Sequence, residues 1–191
     1  MGPNEIRNMR VNQILLTNGT MLTVFIIFYT LITIFPIRTT YFFIAIAVMI
    51  LIQAIYGFIK RDSTNSFIPF LEKVAIYEKQ KMGNEWSKTR RAGNGWSVVL
   101  SIVMFLQFYI SLDYDDNYFE FEPKIMLIIT LMIFVLTNIS MLLHFRKVDR
   151  STSESDMKGY TWKSNLIGAV AGILFGLAIF VMTIYFIISK F

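Results

Sequence analysis

The sequence predicts an all-α integral membrane protein, a five-span helical bundle with an inner-surface amphipathic helix in its second loop. Three observations carry this prediction. The 191-residue chain is 55% apolar and only 16% charged, with a mean hydropathy of +0.55, whereas a soluble domain has about 25% charged residues. Five apolar segments carry no Asp, Glu, Lys or Arg in their interiors, and each approaches the roughly 20 residues that cross a hydrocarbon core. The basic residues crowd into alternate connecting pieces, as positive-inside topology requires. The same composition excludes intrinsic disorder, and the absence of Cys excludes a disulfide scaffold or a thiolate zinc site. The 28 Ile against 8 Ala suggest an AT-rich coding sequence and hence a bacterium.

The chain reads as a single membrane domain, 1–191. The first segment, 14–35, follows Arg7 and Arg10 and ends at Pro36. Its 22-residue run is longer than the 7–15 of a signal peptide, and no small-residue cleavage site follows. It is therefore expected to stay as a signal anchor. Residues 36–40 make a tight turn into the second segment, 41–59, which Lys60 and Arg61 close.

The polar stretch 60–95 holds the amphipathic segment, about 66–91. Ser66 followed by Pro69 marks a helix start. Phe67, Phe70, Leu71, Val74 and Tyr77 keep helical spacing, and Met82 and Trp86 continue that side. Glu78–Lys81, Lys81–Glu85 and Glu85–Lys88 are spaced for charge pairs on the opposite side. The expected structure is one helix of about five turns on the inner leaflet, with Lys88, Arg90 and Arg91 meeting anionic headgroups. Packing of this helix on the bundle's own base is the alternative, and docking of a partner the third. Gly93 and Gly95 would release the chain into the third segment.

That third segment, 96–112, has 17 residues, the lower limit for a span. A short acidic loop leads to the fourth, 123–144, which opens on a Pro that a first helical turn tolerates. A basic, Ser/Thr-rich connection leads to the fifth, 164–189. An open strand cannot satisfy its backbone in hydrocarbon, so all five are helices.

With the N-terminus cytoplasmic, the inner pieces 1–13, 60–95 and 145–163 hold 15 of the 18 basic residues. The outer pieces hold Arg38, Lys124 and Lys190 against five carboxylates. The expected location is the cell membrane, multi-pass, with an extracytoplasmic C-terminus. The net charge of +5 then reflects topology and an anionic inner leaflet, not nucleic acid. Trp86, Trp96 and Trp162 fall near the inner interface, where indole rings anchor.

The fifth segment carries Ser164, Gly168, Gly172 and Gly176 at four-residue spacing. Such a small-residue face lets another backbone approach closely. It suits packing within the chain, a homo-oligomer or protein partner, or a glycine-lined pathway. Gln53, Gln107 and Asn138 are intramembrane polar residues, and Asn18 lies near the inner end of the first segment. Gln53 and Asn138 both fall in the inner half and are expected to meet across a helix interface. Asp113, Asp115, Asp116, Glu120 and Glu122 form an outer acidic patch. Its first positions resemble a calcium loop, but Tyr118 stands where that loop needs Gly and Lys124 where it needs Glu.

No ionisable residue lies at membrane depth, which argues against proton relay, ion-coupled transport and voltage sensing. The single His, His144, stands at the inner end of the fourth segment. No nucleophile-elbow, zincin or phosphate-loop motif occurs. No enzyme, catalytic residue, metal or cofactor is expected. The sequons at Asn18 and Asn138 fall inside spans. The function class expected is an accessory, regulatory or immunity-type component acting by binding. The alternative is a subunit of an oligomeric transporter or channel, with a lipid-handling protein third.

Overall fold

The computed structural model describes residues 2–60, 62–114 and 122–188, with the backbone alone at 114, 182–183 and 186–188. Its helices are α1 (Pro3–Ile34), α2 (Thr39–Lys60), α3 (Pro69–Met82), α4 (Asn84–Ser111), α5 (Pro123–Arg150) and α6 (Tyr160–Ile188), with 3-10 turns at Leu112–Tyr114 and Glu154–Met157. There is no strand among the described residues. Among the described residues five helices are long and apolar enough to cross a membrane: α1, α2, α4, α5 and the stretch Glu154–Val181 that holds most of α6.

The helices outrun the apolar segments. α1 starts at Pro3, where the missing N–H is harmless, and ends at Phe35 because Pro36 cannot follow a helical residue easily. Along it, the hydroxyls of Thr23, Thr30 and Thr33 donate to carbonyls four residues back, which satisfies them in apolar surroundings. The third apolar segment is part of a longer helix: α4 runs for 28 residues, and Gly93 and Gly95 lie inside it.

The stretch 66–91 is two helices, not one. The chain turns at Gly83, whose φ is +55°, a conformation that glycine adopts without a Cβ penalty. Gly83 N–H donates to the Lys79 carbonyl and closes α3. Lys88, Arg90 and Arg91 therefore belong to the first turns of α4. The helix start is also displaced: Ile68 is the cap of α3, and Ser66 Oγ accepts from its N–H.

Two antiparallel pairs build the bundle. In the first, Thr40, Ala47 and Ala54 recur every seven residues on α2 and are buried against α4. Thr40 Oγ1 donates to the Ser111 carbonyl at one end, and Ser101 Oγ to the Ala47 carbonyl midway. At the other end Gly57 lies against the Asn94 carboxamide. Small side chains let the two backbones approach, which gains van der Waals contact between them. In the second pair, α1 and α5, Tyr29 and Thr130 share a 2.6 Å hydrogen bond. The rings of Phe25 and Phe134 stand 6.0 Å apart. α6 packs beside α4, where Trp96 Nε1 donates to Asn165 Oδ1.

The densest core sits at one end of the bundle, outside the apolar segments. There α3 lies across the ends of α1, α4 and α5. Met9, Val74, Tyr77, Met82, Trp86, Val148 and Met157 form one buried cluster. Elsewhere the helices show large apolar side chains outward along their length.

Candidate functional site

Arg10 occupies the centre of the polar end. It is 7% exposed and projects from the first turns of α1 between α3 and α5. Its guanidinium grips Asp149 as a fork, with Nη2 to Oδ1 at 2.7 Å and Nε to Oδ2 at 3.2 Å. Nη1 donates to Glu78 Oε1 at 2.7 Å and to Gln13 Oε1 at 2.9 Å. The Phe145 ring stacks on it with its centroid 4.3 Å away. Paired and stacked in this way, a planar guanidinium tolerates burial that an ammonium would not.

The network continues on both sides. Tyr77 OH donates to Asp149 Oδ1 at 3.3 Å. His144 Nε2 lies 3.3 Å from Glu78 Oε1, and its Nδ1 lies 2.7 Å from Tyr160 OH. Burial opposes the charge on Glu78, but the hydrogen bond and charge of His144, followed by those of Arg10, outweigh it. The carboxyl is held below the usual carboxylate range. The result is a hydrogen-bonded chain from Tyr77 through Asp149, Arg10, Glu78 and His144 to Tyr160, which ties α1, α3, α5 and α6 together. Chemically it is a satisfied ion-paired latch. Among the described residues no three His, Asp or Glu side chains gather to hold a metal.

The sequence places Glu78 on a solvated face, paired with Lys81. Instead Glu78 turns inward, and Lys81 Nζ donates to the Ser151 carbonyl at 2.8 Å. Of the three charge pairs expected there, Lys88–Glu85 forms, at 2.8 Å. α3 thus packs on the base of the bundle. Arg90 stacks on Trp86 and donates to the Ser63 carbonyl, and Arg91 pairs with Asp62 at 3.3 Å. All three residues expected at the headgroups have partners within the chain. Trp86 is a core residue, whereas Trp96 and Trp162 are exposed.

The polar residues expected within the apolar spans also pair differently. Asn138 meets Asn18, not Gln53: the two carboxamides exchange hydrogen bonds between α5 and α1. Gln53 and Gln107 are exposed on α2 and α4. The small-residue face of α6 is open. A methyl group added at Gly168, Gly172 or Gly176 would meet nothing within 4 Å, while Ser164 is half-buried beside Tyr160. In the acidic patch, Asp113 is exposed and Glu122 caps α5. Asp115, Asp116 and Glu120 lie outside the described residues.

Compared with family models, curated proteins and solved structures, the chain matches none.

Arg10, Asp149 and Glu78 escape a sequence reading as site residues because each resembles an ordinary loop charge. One signal was present. Asp149 is the only acid among the three basic residues of the run Phe145–Arg150.

Proposed function

We propose that this chain is a multi-pass protein of the cell membrane that acts by binding a partner, as an accessory, regulatory or immunity-type component, and not by catalysis. The observation that carries this reading is the open glycine face of α6. Gly168, Gly172 and Gly176 form a stripe with no packing partner among the described residues, flanked by exposed Ile173, Leu174 and Leu177. A lipid-facing helix gains nothing from such glycines, which lower helix propensity, whereas a second helix seated there gains close contact. The partner is another membrane helix, from a different protein or from a second copy.

The proposed topology is N-terminus and α3 cytoplasmic, C-terminus extracytoplasmic, supported by the 15 basic residues on one side. Phe67, which is 96% exposed, and the exposed Ile68 and Ile76 suit contact between the α3 end and the inner headgroup layer. A reporter fused after Asp116 is expected to give an extracytoplasmic signal, and a cytoplasmic signal overturns the topology.

One observation favours a second reading, a subunit of an oligomeric transporter or channel. Gln53 and Gln107 are exposed on helices that otherwise show apolar side chains outward. A carboxamide facing lipid without partners is costly, and a lining shared between subunits would satisfy it. Purification in mild detergent, followed by mass and partner analysis, tests both readings. A stable homo-oligomer or a stoichiometric partner supports binding, and a closed ring with Gln53 and Gln107 inside supports the channel. A monomer with no partner overturns both.

A further inference from the structure

The polar end carries a groove of about 580 Å3 between α1 and α5. Its walls are of two kinds. Arg7 stands on one side and Arg146 and Arg150 on the other, while Val11, Leu142 and Phe145 line the rest. The Arg10–Asp149 pair, Arg10 buried and Asp149 half-buried, forms part of its lining. Arg10 is answered by carboxylates of the chain. Among the described residues no carboxylate pairs with Arg7, Arg146 or Arg150, and all three are exposed. The contrast with Arg90 and Arg91, both engaged within the chain, is direct.

The positions fit a lipid. Arg146 and Arg150 are one helical turn apart, so their guanidinium groups share a face of α5. Val11 and Leu142 continue from the arginines toward the apolar parts of α1 and α5. An anion here would meet three unpaired guanidiniums, which favour phosphate oxygens by bidentate geometry. An acyl chain attached to it would run along the apolar wall. A free phosphate would leave that wall uncovered, and a neutral lipid would leave the arginines unanswered.

We propose that this groove is a binding site for one anionic phospholipid, with its phosphate between Arg7, Arg146 and Arg150 and its acyl chains along Val11, Leu142 and Phe145. The site is independent of any partner on α6, because it lies between α1 and α5. Basic pockets between membrane helices are a recurring seat for such headgroups.

The test is native mass spectrometry of the detergent-purified chain with phosphatidylglycerol or phosphatidylcholine added. The chain should retain one phosphatidylglycerol in preference to phosphatidylcholine. A basic residue near an anionic surface contributes about fivefold, so Arg146→Gln with Arg150→Gln should weaken retention by about 25-fold. Arg7→Gln, on the opposite wall, should weaken it about fivefold. Lys88→Gln with Arg91→Gln removes the same net charge elsewhere and should leave retention unchanged. Excess inorganic phosphate should not displace the lipid. Equal retention of the two lipids, equal loss in the control pair, or displacement by inorganic phosphate would each overturn the proposal. These outcomes are read on the monomer, so they stand apart from whether α6 has a partner.

Discussion

Asn18 and Asn138 face one another across the α1–α5 interface and exchange two hydrogen bonds, Asn18 Nδ2 to Asn138 Oδ1 at 2.9 Å and Asn138 Nδ2 to Asn18 Oδ1 at 2.8 Å. Asn138 Nδ2 also donates to the Phe134 carbonyl at 2.8 Å. The arrangement is reciprocal, so removing Asn138 orphans the Asn18 carboxamide, and removing Asn18 leaves Asn138 Oδ1 without its donor, in apolar surroundings. Asn18→Leu or Asn138→Leu should each destabilise by about 1–2 kcal/mol. The double Leu variant should lose less than their sum. The coupling from a double-mutant cycle should be positive and near the average of about 0.6 kcal/mol for membrane hydrogen bonds. Thermal unfolding in detergent measures it, and strict additivity would show that the pair is not coupled.

The helical class and the number of apolar helices were legible because hydrocarbon imposes length and composition directly on sequence. Which helices touch was not legible. The glycine stripe of α6 resembles a packing face and lies open, whereas the seam that packs, Thr40, Ala47 and Ala54 against Ser101, holds a single small residue per two turns. The latch was hidden for a different reason. Its members lie far apart in sequence, on α1, α3, α5 and α6, and no local pattern marks a charge as buried. The break at Gly83 was hidden by periodicity that continues from Met82 to Trp86 across the turn.

Acid should loosen the latch through Glu78. Its carboxyl is held below the usual range in the folded protein, so the folded state binds that proton less readily than the unfolded chain does. The stabilisation is fully present above the unfolded value of about 4.3. It is lost as pH falls through the lower folded value. Unfolding measured from pH 6 down to pH 3 (roughly the window in which carboxylates titrate) should show a steeper decline for the native chain than for Glu78→Gln. Parallel curves for the two would remove Glu78 from the linkage.

Gly83 and Gly93 should respond oppositely to alanine. At Gly83 φ is +55°, and a Cβ would collide with the Glu154 carboxylate. Gly83→Ala should therefore destabilise by about 1–3 kcal/mol. Gly93 lies inside α4 with nothing within 4 Å of an added Cβ. Gly93→Ala should stabilise by about 0.5–1 kcal/mol, as alanine does in an exposed helix interior. The two midpoints in one thermal-shift series check both signs. Destabilisation at Gly93 similar to that at Gly83 would contradict the placement of the turn.

The two glycine-bearing faces, on α2 and α6, separate folding from association. A leucine at position 57 would displace the Asn94 carboxamide and overfill the seam between α2 and α4, the closest-packed pair of the bundle. Overpacking of this kind costs about 1–3 kcal/mol, so Gly57→Leu should lower the unfolding midpoint of the isolated chain. A leucine at position 172 meets open space and replaces a poor helix former with a good one. Gly172→Leu should leave that midpoint unchanged or raise it. If α6 seats a second helix, the same variant should abolish the larger species on a detergent column, because the added side chain fills the groove. A fall in monomer stability for Gly172→Leu equal to that for Gly57→Leu would mean that α6 packs inside the chain after all. An unchanged oligomer with unchanged stability would mean that its glycine face has no partner.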